Sequence, residues 1–292
     1  MSSGNISIIG KPNVGKSTLF NLLIKKHLAG ATNKPQTTRH KIDAVLHEGD
    51  TEFLFVDTPG LNFNIKKNFN KLLNKNALSA LYEADIILHI VDYFKIDKDD
   101  IKVIENIKSI DLPKILVLNK IDLDSKKKNL PKILSKIPKD IINIYDEVIP
   151  VSSKNSSNIV NLKKLIKSYI PKNNKNYYEN IISNKPKEFF VAEYIREACI
   201  KYLSVELPYS LHVEINKFED EENIISIAST VYLKKKSHLS IVVGKKGSML
   251  VKISKLARIN TENLLNKKVF LKIFVKYDPK WKDSESFLNS YS

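Results

Sequence analysis

Residues 10–17 read Gly-Lys-Pro-Asn-Val-Gly-Lys-Ser, directly after the apolar run NISII and directly before the helical stretch KSTLFNLLIKK. A strand, a glycine loop ending in Gly-Lys-Ser and a helix, in that order, form a phosphate-binding signature that few folds can host. Its glycines let backbone N–H groups curl around phosphate oxygens, and the helix N-terminus adds positive potential. Lys16 is placed to reach the β- and γ-phosphates, and the Ser17 hydroxyl to ligate Mg2+. The whole chain has only eight glycines in 292 residues, so Gly10 and Gly15 at this spacing carry weight.

The chain around and beyond this loop, to about residue 170, fits an α/β fold. The runs NISIIG, TEFLFVD, ADIILHIVD, PKILVLNK and YDEVIPVSS read as buried strands. Between them KSTLFNLLIKK, KKNFNKLLNKNALSALY, KDDIKVIENIKSI and NIVNLKKLIKSYI space their apolar residues as helices do. That alternation predicts a mainly parallel sheet with helices on both faces, and ligands at the carboxyl ends of its strands. The motifs fall at those ends. In FLFVDTPG, Asp57 closes a strand where it can hold the Mg2+ shell, and the Gly60 N–H can sense the γ-phosphate. In LVLNKID, Asn119 and Asp122 can read a base. The Asp122 carboxylate would accept from both guanine N1–H and the N2 amine, a donor pair that adenine lacks. The ordered set points to GTP rather than ATP, and NKID counts against a P-loop kinase.

The polar stretch PKNNKNYYENIISNKPK, residues 171–187, reads as a linker. Beyond it EFFVAEYIREACIKYL reads as a helix, with Cys199 as a small buried hydrophobe. YSLHVEINKFEDEENIISIASTVYL reads as two strands around an acidic turn, and KVFLKIFVKY as a last strand. Before that strand Gly244-Lys245-Lys246-Gly247 follows the apolar IVV and precedes a helix. It lacks the Gly-Lys-Ser ending of a nucleotide loop. Its setting is that of a KH domain, whose glycine loop clamps single-stranded RNA by the backbone. Lys245 and Lys246 would attract the phosphates, and Ile241, Val243, Met249, Leu250 and Ile253 are candidates for the walls of an adjoining groove. The net charge of +16 agrees with a polyanionic partner, although most of the 48 basic residues are lysine in a chain also rich in Ile and Asn. The three arginines, Arg39, Arg196 and Arg258, say more, since a planar fork has uses that lysine cannot serve. The single cysteine fits a reducing compartment, the histidines show no zinc spacing, and no apolar run reaches the ~20 residues of a membrane span. The early strand leaves no room for a leader peptide.

Taken in order, the glycine loop, QTTRH, DTPG and NKID resemble the translation-factor-related GTPases, and PQTTRHKI is similar to the Era family in particular. The resemblance continues through YIREACIKYLSVELPYSLHVEI, GKKGSMLVKISKLAR and DPKWKDSESFL, and so covers nearly the whole chain. It implies a GTPase domain over 1–170, a linker over 171–187, a type II KH domain over 188–281 and a tail over 282–292. It implies that Gly10, Asn13, Val14, Gly15, Lys16, Ser17, Thr18, Asp57 and Gly60 hold the phosphates, and that Asn119, Lys120 and Asp122 hold the base. Thr38 would join Ser17 and Asp57 at Mg2+ in the GTP state. VSSK, residues 151–154, stands at a fifth motif usually written Ser-Ala-x-x-Gly and adds Ser152 and Ser153; here Ser153 replaces the alanine and Ser156 the glycine.

For catalysis the resemblance singles out Lys16, Thr38, Gly60 and Asn13, the last similar to members that bind K+. A glutamine after the D-x-x-G glycine would orient water in Ras-type enzymes. Leu61 stands there, so a slow intrinsic rate is expected. For Arg39 two readings stay open, an arginine finger in cis and a residue that positions the switch or meets a partner. For RNA the implied residues are Gly244, Lys245, Lys246, Gly247, Lys252, Arg258 and Trp281, and Ser254 replaces a usual glycine in the helix after the loop. The implied partner is the 3′ end of 16S rRNA during assembly of the small ribosomal subunit. The implied setting is a cytoplasmic monomer, with a peripheral place at the inner membrane left open. Two rivals stay open: an RNA chaperone with a structural nucleotide site, and a GTPase of tRNA modification or of the membrane surface.

Overall fold

The structure, a computed structural model, describes residues 2–32, 34, 37–63, 68–124, 135, 137, 139–172, 182–203, 207 and 211–281. The chain divides into two compact units, Met1–Ala31 with Thr38–Asn184, and Thr32–Thr37 with Lys185–Ser292.

In the first unit β1 (Ser2–Ile9) leads through the glycine loop into α1 (Lys16–Ile24). Then come β2 (Ile42–Glu48), β3 (Thr51–Asp57), α2 (Asn68–Ser79), β4 (Ile86–Asp92), α3 (Lys98–Ile107), β5 (Lys114–Asn119), α4 (Lys139–Ile142), β6 (Glu147–Pro150) and α5 (Ile159–Tyr169). The described strands lie in the order β2-β3-β1-β4-β5-β6. All pair in parallel except β2, which runs antiparallel to β3. Ile9, Ile87, Val91, Leu116 and Leu118 pack with Ala77 of α2 and with Val103, Ile104 and Ile107 of α3. The alternate positions Ile8, Leu88, Ile115 and Val117 are buried too, so both faces of the sheet are covered. Strand β2 is not among the strands expected from the sequence. Asp43, His47 and Glu48 break its apolar run, and only the tight turn at Gly49 (φ +65°) into TEFLFVD marks it as half of a hairpin. Part of the predicted linker also has a partner, since the Val45 N–H donates to the Ile182 carbonyl at 2.7 Å. The rest of that stretch, 173–181, lies outside the described residues.

The second unit runs α6 (Lys187–Tyr202), β7 (Leu211–Asp220), β8 (Ile224–Leu233), α7 (His238–Val243), α8 (Ser248–Leu265) and β9 (Lys268–Tyr277). β7 and β8 pair antiparallel, β8 and β9 parallel. Val191, Ile195, Ala198 and Cys199 of α6 are buried, as are Leu211, Ile225, Val231, Ile253 and Ala257. Cys199 fills the role expected of it, and burial pushes its thiol up to about 12. The apolar IVV before the second glycine loop forms the end of helix α7. Residues 32–37 group with this unit: Arg196 donates to the Thr37 carbonyl while paired with Glu193, and the Lys34 ammonium donates to the Ile200 and Leu203 carbonyls. Among the described residues no helix is long and apolar enough to cross a membrane.

Candidate functional site

The glycine loop leaves β1 and is held from three sides. The Lys11 ammonium reaches Asp97 Oδ2 (2.9 Å), Asp100 Oδ2 (2.7 Å) and the Lys95 carbonyl (2.8 Å), which ties the loop to the N-terminus of α3. Those two aspartates form the capping box of that helix. Asn119 Nδ2 donates to the Val14 carbonyl (2.8 Å), and the Lys120 ammonium to the Asn13 carbonyl (2.7 Å) and Asp92 Oδ2 (2.8 Å). Gly15 shows why the motif needs glycine: its φ is +101°, and a Cβ there would sit 2.3 Å from Asn119 Nδ2. The Leu61 N–H donates to the Gly10 carbonyl (3.1 Å) and brings Gly60 beside the loop, against Pro12.

Three oxygens converge beyond Gly15. Ser17 Oγ lies 2.7 Å from both Thr38 Oγ1 and Asp57 Oδ2, and Thr38 Oγ1 lies 3.4 Å from the same carboxylate oxygen. Asp57 Oδ1 is buried with no hydrogen-bond partner among the described residues. Two hydroxyls and a carboxylate with a spare buried oxygen are a donor set suited to a small hard cation such as Mg2+. Burial drives the Asp57 carboxyl up to about 6, against the pull of Lys16 and the two hydroxyls. Burial likewise draws the Lys16 ammonium down to about 8, and Asp57 opposes that shift. The Lys16 ammonium donates to the Lys11 carbonyl at 2.9 Å. Both groups are held in a desolvated place that a phosphate and its counter-ion would relieve.

Asn119 and Asp122, the candidates for reading a base, are held by the loop after β6. Ser153 gives Asn119 Oδ1 two bonds, from its N–H (3.0 Å) and its hydroxyl (2.9 Å). The hydroxyl bond is one that an alanine there would lack, so the substitution adds a tie. Ser152 Oγ donates to Asp122 Oδ1 at 2.6 Å and fixes that carboxylate. Ser156 adopts φ +63°, which explains why a glycine is usual at this position. Ser156→Gly should therefore raise folding stability by about 0.5–1 kcal/mol, read from the denaturant midpoint at unchanged slope. No gain would mean that the serine side chain offsets the strain through contacts of its own.

Leu61 and Arg39 are both buried. Leu61 belongs to the core with Ile9, Val91 and Tyr93, so its side chain serves packing and not water. Asn13 in the loop and Thr18 in the first turn of α1 are exposed. Lys11, Asp92, Asp97 and Asp100 belong to the site's framework, and no motif of the sequence marks them as such. The D-x-x-D spacing of a capping box is the available sign for the last two.

In the second unit Gly244 ends α7 with φ +74°, and a Cβ there would meet Met249 Cβ at 2.6 Å and its N at 2.7 Å. Lys245–Gly247 form a single tight turn with Lys246 at φ +51°, and Gly247 caps the start of the 18-residue α8. Lys245, Lys246 and Lys252 are exposed, and Arg258 is half-buried in an ion pair with Glu262 (3.0 Å). Of the groove candidates Ile241 is exposed, Val243, Met249 and Leu250 are half-buried, and Ile253 is core; Ser254 is half-buried. Trp281 is buried at 2% exposure and stacks on His212, with centroids 5.6 Å apart. The tail after it, 282–292, lies outside the described residues.

The glycine loop with the Ser17–Thr38–Asp57 cluster beside it and Asp122 held by Ser152 is the arrangement of a GTPase, and the glycine-hinged turn between two helices is that of a KH domain. Comparison with known proteins agrees on both. Residues 5–120 match the family described as 50S ribosome-binding GTPase, and residues 206–282 match the KH domain family. The GTPase Era of Alkaliphilus oremlandii is 39% identical over 291 residues, spanning 99% of this chain and 97% of its own. That of Clostridioides difficile is 35% identical over 292 residues, with the same coverage. Among solved structures, Era in complex with MgGDPNP and nucleotides 1506–1542 of 16S ribosomal RNA matches with a TM-score of 0.93 at 30% identity. That match covers 100% of this chain and 99% of the other. A point variant of Aquifex aeolicus Era bound to GDP.AlF4- has the same score, identity and coverage. This chain belongs to the Era family of GTPases.

Proposed function

We propose that the protein is a GTP-hydrolysing switch that binds the 3′ end of 16S rRNA and assists assembly of the small ribosomal subunit. The observation that carries the reading is the union, in one chain, of the Ser17–Thr38–Asp57 cluster with the exposed Lys245–Lys246 turn between two glycines. The solved relative of matching length holds a GTP analogue and that RNA at once.

In this reading Lys16 neutralises the β- and γ-phosphates, and backbone N–H groups from Asn13 to Thr18 surround them. Ser17, Thr38 and Asp57 would hold Mg2+, which supplies charge neutralisation at the phosphates when bound. Asp122 selects guanine, and Asn119 locks its loop to the phosphate loop. Asn13 offers an amide oxygen of the kind that takes K+; replacing K+ by Na+ should then slow turnover without weakening nucleotide binding, and equal turnover in both salts would remove Asn13 from catalysis. With Leu61 in the core, the residue that follows Gly60 does not orient the attacking water, so turnover is slow and the bound state is long-lived.

The GTP state favours RNA binding. Residues 32–37 group with the second unit, and those from Thr38 to Asn184 with the first. A nucleotide that fixes Thr38 therefore acts on a segment whose preceding residues Arg196 and Lys34 anchor. RNA can shift the nucleotide equilibrium only so far as it prefers one state, and the converse holds equally. At the second unit the Gly244–Gly247 turn takes the RNA backbone, Lys252 and Arg258 add charge along α8, and Trp281 supports the sheet through His212. The protein works in the cytoplasm as a monomer. GTP turnover measured with and without the 3′-end RNA tests the switch against the chaperone reading: a switch responds to RNA, and a structural nucleotide site does not.

A further inference from the structure

Among the described residues the outer face of the second unit's sheet is uncovered along β9, while Trp281 stacks on His212 on the same face at β7. On β9 Val269, Leu271 and Ile273 turn inward, while Lys268, Phe270, Lys272, Phe274 and Lys276 alternate on the outside. Phe270 is 59% and Phe274 48% exposed, and among the described residues Phe94 is the one other phenylalanine so placed. The facing residues of β8 are Ser226, Ala228 and Thr230, so the two rings stand above a floor of small side chains. The Lys272 ammonium sits 4.9 Å from the centre of the Phe274 ring, which holds a cation at the aromatic surface. The outward side of β9 carries three lysines and no carboxylate. Glu214 and Glu219 lie on the same face two strands away, the first bonded to the Tyr232 hydroxyl and the second paired with Lys217 at 2.6 Å.

Protection of an edge strand would account for the lysines but not for two exposed rings between them. A protein-docking surface would account for the rings, yet lysine is depleted from such interfaces. Alternating rings and cations on an open sheet match single-stranded RNA, whose bases stack on aromatic faces while phosphates meet lysine. Phe270 and Phe274 are four residues apart, about 13 Å along the strand, room for two or three extended nucleotides.

We infer that this face of β9 is a second RNA platform, distinct from the Lys245–Lys246 turn, on which bases stack against Phe270 and Phe274 while Lys268, Lys272 and Lys276 meet the phosphates. The inference rests on the RNA-binding reading above and lengthens the stretch of RNA held. A base stacking on Phe274 would free Lys272 to turn to a phosphate.

The test is affinity for a length series of single-stranded RNAs ending at the 16S 3′ terminus, at fixed salt with a non-hydrolysable GTP analogue. Wild type should gain affinity as the RNA grows beyond a short oligomer. Phe270→Leu with Phe274→Leu keeps apolar bulk without a π-face; it should bind the short oligomer normally and lose the gain, about tenfold per ring. Phe270→Tyr with Phe274→Tyr should retain it, and Lys268→Gln, Lys272→Gln and Lys276→Gln together should flatten the salt dependence for the long RNA only. A leucine variant equal to wild type at every length, or a wild type with no length gain, overturns the platform. Lys245→Glu with Lys246→Glu separates the two readings: loss of the short oligomer there leaves RNA binding at the turn standing even if the platform fails. Binding equal to wild type in that variant counts against the turn itself.

Discussion

Asp57→Asn should make the nucleotide-free protein more stable and the enzyme nearly inactive. The carboxylate is fully buried, with one oxygen engaged by Ser17 and Thr38 and the other without a partner among the described residues. Burial raises it from the ordinary 3.8 to about 6. At neutral pH its ionised form is therefore held at a cost on the order of 3 kcal/mol, since one pKa unit is about 1.4 kcal/mol. Asparagine removes that charge but also leaves Lys16 without its neighbour, so the net gain should be about 1–2 kcal/mol. The sign with pH is definite. Below pH 3.8 the group is protonated folded or unfolded and the variant has no advantage. Between 3.8 and about 6 the folded state binds more protons, so wild-type stability falls as pH rises. Above about 6 the variant's advantage is full and flat. GTP turnover should fall by about 100-fold or more, because the charge that would hold Mg2+ is gone. Paired melting and turnover curves across roughly pH 4–8 check both halves. A variant less stable than wild type above about pH 6 would mean that Asp57 is part of the fold's support rather than a strained binding group.

Lys245→Glu with Lys246→Glu should cut RNA affinity by about 100–1,000-fold at moderate salt and leave GTP affinity unchanged. Both side chains are exposed on a turn whose shape is set by Gly244 and Gly247, so the fold does not depend on them. Stability should stay within about 0.5 kcal/mol of wild type. Loss of two contacts to single-stranded phosphates should also lower the salt slope by about 1.4. Titration of RNA at several salt concentrations reads both numbers. Undiminished affinity would place the RNA clamp elsewhere on the chain.

Much of this is readable in the residues because the phosphate loop and its companions are local. Gly15, Lys16 and Ser17 do their work within one turn of chain, and the strands ending at Asp57 and Asn119 are continuous apolar runs, as buried parallel strands must be. β9 is legible to the residue because KVFLKIFVKY is dense in β-branched and aromatic residues, while the alternation of its burial appears only in the fold. Strand β2 is not, because its charged residues hide an edge strand that only pairing with β3 defines. Nor is the Lys11 clamp, which joins residues more than 80 positions apart and leaves no trace in spacing. Position 153 visibly differs from its family in the sequence; only the structure gives the consequence, a second bond to Asn119. Leu61 is a missing catalytic side chain in the sequence and a core residue in the fold. Trp281 reads as an RNA contact in the sequence, and its ring lies against His212.

The most direct test of a nucleotide-controlled RNA switch is affinity for the single-stranded 3′ end of 16S rRNA at fixed salt, with GDP and with a non-hydrolysable GTP analogue, beside a scrambled RNA. Tighter binding with the analogue, selective over the scrambled sequence, is the predicted result. Equal affinity in the two nucleotide states would contradict it by uncoupling the two units, and equal affinity for the scrambled RNA would reduce the binding to the lysines' charge.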